Sequence, residues 1–97
     1  MGVIKFEVPD VVTSIGVLET SLKRERLLLE RSISKTKKKL EEFEERKGMR
    51  SKEFFEKFKK GLAGDDQDAM RWAAEYKALK LLDKEHITIK RMLNQCK

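Results

Sequence analysis

Catalysis or ion binding needs nucleophiles, proton carriers, metal ligands or fixed charges at workable spacings, and a few residues of this chain qualify. Asp65, Asp66 and Asp68 fall within four residues. Carboxylates that close could hold a cation or share a proton. A calcium loop needs alternating ligands over about twelve residues and a closing Glu, a pattern that Leu62 to Ala73 does not supply. Carboxylates also belong at a helix N-terminus, where they accept free amide N–H groups and meet the positive end of the dipole. The cluster is therefore read as a cap. His86 is the only histidine, and no second His or Cys stands near it in the chain to build a metal site. Cys96 is the only cysteine. A thiol needs a neighbouring base or an electropositive pocket to act as a nucleophile, and the sequence around Cys96 offers neither. No Gly-rich phosphate loop, hydrolase triad signature or zinc spacing is present. The reading is a non-enzyme that uses no cofactor and no metal.

Fixed positive charge is the remaining chemistry. Lys35, Lys37, Lys38 and Lys39 put four cations within five residues, and Lys23 and Arg24 form a smaller cluster. With Lys5 these are the candidate contacts to nucleic-acid phosphates, each of which would add a salt-dependent term. Glu41, Glu42, Glu44 and Glu45 follow the lysine run at once. Pairs such as Lys37–Glu41 and Lys38–Glu42 sit one helical turn apart, at about 0.2–0.5 kcal/mol each, which favours a solvated helix face as the reading of the run.

The elements that would carry these residues are helical. The 97 residues allow one domain, 41% of them are charged, 39% are hydrophobic and the net charge is +6. Such a chain can build only a thin core. Its basic balance suits an acidic partner or nucleic acid without requiring either. Residues 1–10 form a strand-like arm: Ile4, Phe6 and Val8 alternate with Lys5 and Glu7 until Pro9. A lone strand is unstable in water, so this one would pair with its own copy in a dimer. Residues 11–47 carry a near-heptad stripe of Ile15, Leu18, Leu22, Leu29, Ile33, Leu40 and Phe43, with one four-residue slip after Leu29. Gly16 and the β-branched Val11, Val12 and Thr13 weaken the first turns, which places the firm start near Val17. Gly48 closes this helix as a left-handed cap, with Met49 available for the accompanying hydrophobic contact.

Ser51 reads as the cap of a short helix over 51–60, with Phe54, Phe55 and Phe58 on one face. Gly61-Leu62-Ala63-Gly64 is a turn, and a third helix covers 65–94. Its stripe of Trp72, Tyr76, Leu79, Leu82, His86, Ile89 and Leu93 would pack back on the first helix. The fold class is thus mainly α: a long antiparallel helical hairpin with a short bridging helix, plus a short N-terminal β-strand. No run of about 18 apolar residues could span a membrane, and a single cysteine fits a reducing, cytoplasmic setting. Phe54, Phe55, Phe58, Trp72 and Tyr76 are five of the seven aromatics. A thin helical layer can scarcely hide them all, and Trp72 and Tyr76 are the ones a partner would cover.

The segment Lys47–Tyr76 resembles a pattern in small prokaryotic, often archaeal, antitoxin-like proteins of toxin–antitoxin pairs. The shared positions are Gly48-Met49, Ser51, Glu53-Phe54, Phe58, Gly61, Gly64-Asp65-Asp66, Asp68 and Trp72. The opening Ile4 to Asp10 is also similar to the first strand of ribbon–helix–helix antitoxins, which read DNA as dimers. The part that follows departs from that unit, which needs two short helices; no second turn comes before Gly48. The resemblance implies a helical protein that neutralises a cognate toxin. Phe54, Phe58, Trp72 and Tyr76 would be anchors in the toxin's grooves, with Asp65 and Asp66 capping and orienting. The alternatives are a homodimeric coiled-coil or helical-bundle scaffold and a basic nucleic-acid binder.

Overall fold

The computed structural model describes residues 10–96. The expected strand, and Lys5 within it, lie outside them. Three helices follow in order: α1 (Val11–Lys47), α2 (Ser51–Lys59) and α3 (Gln67–Gln95). There is no strand among the described residues.

Helix α1 begins at Val11, the first residue of the 11–47 span read from the sequence. Its cap explains why. Asp10 is extended, and its carboxylate accepts the N–H groups of Val12 (3.1 Å) and Thr13 (3.3 Å) and the Thr13 hydroxyl (2.7 Å). Three bonds offset the poor propensities of the first turn, and the helix runs unbroken through Gly16. At the other end Gly48 adopts φ 62° and donates to the Glu44 carbonyl at 2.9 Å. Met49 then packs against the main core, as the cap signature requires.

Helix α2 is capped differently from the sequence expectation. Arg50 is its N-cap and makes no side-chain capping bond. Ser51 is its first helical residue. Its N–H donates to the Glu44 carboxylate of α1 at 2.7 Å, so a side chain of the preceding helix satisfies one of the free amides of the first turn. Helix α3 starts as the sequence indicates: Asp66 is its N-cap and accepts from the Ala69 N–H at 2.7 Å.

Helices α1 and α3 pack antiparallel. Arg46 meets Asp68 (3.5 Å), Lys39 meets Glu75 (3.4 Å) and Glu30 lies 3.7 Å from His86. The numbers fall on one helix as they rise on the other. The core has two parts. Beside the bend, Leu40 and Phe43 of α1, Phe54 of α2 and Ala69, Trp72 and Ala73 of α3 are buried together. Further along, Leu29, Ile89 and Leu93 form a smaller cluster flanked by Leu22 and Leu82. Burying one such aliphatic or aromatic side chain contributes about 1.5–3 kcal/mol. Trp72 is the pivot of the larger cluster. Its ring stacks on Phe54 at 3.9 Å and on Phe43 at 5.7 Å, and its Nε1–H donates to the Ser51 hydroxyl at 2.9 Å.

Candidate functional site

The residues with chemical potential resolve into structural work. Asp66 caps α3, and Asp68 reaches back to Arg46 and to Lys47, the latter at 3.6 Å, tying the start of α3 to the end of α1. Asp65 is exposed in the turn. No group of three or more His, Cys, Asp or Glu side chains that could hold a metal occurs among the described residues. His86 sits at the rim of the α1–α3 seam. Its Nε2 is buried without a hydrogen bond, at ion-pair distance from Glu30. Cys96 caps the C-terminus of α3 and is half-buried.

The lysine run does not make one face. Successive helical residues turn by about 100°, so Lys35, Lys37, Lys38 and Lys39 fan around α1. Lys39 is engaged with Glu75. Lys37 and Lys38 line a cleft that also holds Glu30, Glu41, Asp83 and His86. Lys23 pairs with Glu19 at 3.1 Å, and Arg24 is exposed.

The aromatic anchors divide. Phe54 and Trp72 are only 5% and 2% exposed, so in this closed hairpin they cannot serve as contact residues. Trp72, expected to need a partner's cover, is instead covered within the chain because α2 folds across it. Phe58 and Tyr76 are half-buried. Phe55 packs on Tyr76 at 4.9 Å and on Phe58 at 6.3 Å. Lys59 and Lys80 lie over the Phe55 and Tyr76 rings at 5.4 and 5.3 Å. Ring faces with cations parked on them are already partly satisfied.

The uncovered apolar surface lies elsewhere. Leu22 is the first α1 side chain packed on the smaller core cluster, because α3 ends level with it. Among the described residues, neither core cluster draws on residues 11–21, which form a helical arm about 16 Å long at roughly 1.5 Å per residue. Val11, Val12, Ile15, Val17 and Leu18 on it are 43–81% exposed. From Val11 to Leu22 the only charged residue is Glu19, in a chain that is 41% charged. Beyond Leu22 the solvent side of α1 is mostly Lys, Arg and Glu, with Leu27 and Leu28 the large aliphatics exposed among them. Large contiguous apolar patches on protein surfaces are a common feature of interaction sites. The periodicity of α1 concealed the arm, since Ile15 and Leu18 continue the stripe of the core residues. The missing charges were the signal that could have found it.

No family model, no curated protein and no solved structure matches the chain.

Proposed function

We propose that this chain is a non-catalytic protein-binding module whose working surface is the projecting arm of α1. The observation that carries this reading is the coincidence of three features on residues 11–22: helical order, exposed aliphatic side chains and almost no charge. A helix of that character is the donor half of helix-in-groove recognition, with anchors spaced three, four and seven residues apart. Val11, Ile15 and Leu18 have that spacing. The larger core holds the rest of the hairpin closed and so presents the arm from a rigid base.

The antitoxin-like pattern in Lys47–Tyr76 supports a specific form of this reading, in which the module neutralises a toxin encoded beside it. The half-buried Phe58 and Tyr76 would then be secondary contacts. Co-expression with the product of the neighbouring reading frame tests it. Wild-type chain should co-purify with that product and relieve its toxicity, and Ile15→Glu with Leu18→Glu should abolish both while helicity is retained. Full protection by that double variant would remove the arm from the function.

A further inference from the structure

We infer that the outward face of α1 docks into the major groove of B-form DNA and is held there by the phosphate backbone. This surface is separate from the arm and goes beyond the protein-binding reading. The first observation is where the charge sits. Residues 20–40 carry eight bases and two acids, a surplus of six that equals the net charge of the whole chain. The rest of the chain carries fifteen of each sign. A surplus gathered on one stretch of one helix is the electrostatic footprint of a polyanion site.

The second observation is direction. Leu29, Thr36 and Leu40 are buried and fix the inward side of α1. At about 100° per residue, Arg24, Arg31, Lys35 and Lys38 project within about 60° of the opposite direction. All four are exposed, and among the described residues none has an acid at ion-pair distance. Other bases of the stretch are engaged: Lys23 with Glu19, Arg26 with Glu30 and Lys39 with Glu75. Its two acids, Glu25 and Glu30, border clefts shared with α3 and leave the outward row clear of negative charge. Lys38, at the end of the row, also borders the Glu30 cleft.

The third observation is shape. From Arg24 to Lys38 the row is about 21 Å long, at roughly 1.5 Å per residue. An α-helix with its side chains is about 10–12 Å across, and the major groove of B-DNA, about 12 Å wide, admits one. Because α3 packs on the inward side, α1 offers its outward side as a single ridge. The major groove of A-form RNA is too deep and narrow for that ridge. Leu27 projects between Arg24 and Arg31 and is 53% exposed. A thymine methyl at the groove floor suits it, as phosphates do not. An interfacial membrane helix needs a broad apolar face beside its cations, and this row has only Leu27 with Leu28 at its edge.

Fluorescence anisotropy of a short labelled DNA duplex, titrated with the full chain across a salt series, is the test. The expected result is binding at low salt whose log K falls against log salt with a slope of about −3 to −4, at roughly 0.9 per phosphate for four contacts. Arg31→Gln with Lys35→Gln should flatten that slope by about 2 and weaken binding several-fold at unchanged helicity. Lys52→Gln with Lys90→Gln removes the same charge from exposed positions on α2 and α3 and should leave the slope near its wild-type value. An RNA duplex of the same sequence, phosphatidylserine vesicles and polyglutamate are the comparison ligands. No binding at low salt, equal losses in the two double variants, or tighter binding to any comparison ligand than to the DNA duplex each overturns the inference.

Discussion

Trp72 shows how one side chain can settle the state of a small helical protein. Its ring covers Phe43 and Phe54, and its single donor finds Ser51. Replacing it with alanine removes both the stacking and the largest piece of the core. Loss of a core Trp costs about 3–5 kcal/mol, a large share of the total for a domain this small. Trp72→Ala should therefore unfold near the bend at much lower urea, followed by circular dichroism. Ser51→Ala keeps the ring but strands the buried indole N–H, a cost of about 1–3 kcal/mol; the midpoint should fall by less than in Trp72→Ala, with fluorescence still reporting a buried Trp. Gly16 gives the opposite test. A Cβ built there meets nothing within 4 Å, and mid-helix Gly costs about 0.5–1 kcal/mol relative to Ala. Gly16→Ala should slow amide exchange along the arm without touching the core.

At the scale of the element, α1 depends on its first cap. Hydrogen bonds from the Thr13 side chain first, and then from the Thr13 and Val12 N–H groups, hold the Asp10 carboxyl below its ordinary value. A carboxylate with a depressed folded pKa adds stability that is complete above its unfolded pKa and is lost as pH falls through the folded one. Asp10 is fully exposed, so solvent screens the effect and it stays local. The arm should fray on acidification below the usual carboxylate range, while the Trp72 cluster persists. Amide exchange of Val12, Thr13 and Ser14 measured against pH checks this, and Asp10→Asn, which caps without titrating, should flatten the profile. Helix α2 is only nine residues long, too short to be stable alone. It exists because Phe54 inserts beside Trp72 and because the Glu44 side chain accepts its first amide.

Taken as a whole, the molecule is graded from closed to open. The end beside the bend holds six mutually packed buried residues, the middle three, and the arm none. Protection from hydrogen exchange should follow the same order, since local opening costs least where apolar contacts are fewest. Binding a partner should reverse the order at the arm and leave the bend unchanged; equal protection of arm and bend in the isolated monomer would contradict the gradient. No helix of the described residues is long and apolar enough to cross a membrane.

The sequence alone determined the three helices and the stops and starts marked by Gly48 and Asp66. Gly48, Asp66 and the 3.6-residue stripes act through neighbours three or four positions away, and such local signals survive without knowledge of the fold. It also placed Leu29, Leu40, Phe43, Ile89 and Leu93 on inward faces. What it could not decide was which parts of those faces find cover. Ser51 looked like a cap until Glu44 arrived from α1, Trp72 looked like a contact residue until α2 crossed it, and Ile15 and Leu18 looked like core until α3 ended level with Leu22. Each of these turns on where one helix stops alongside another. That length difference arises between elements far apart in the chain, and only their packing reveals it.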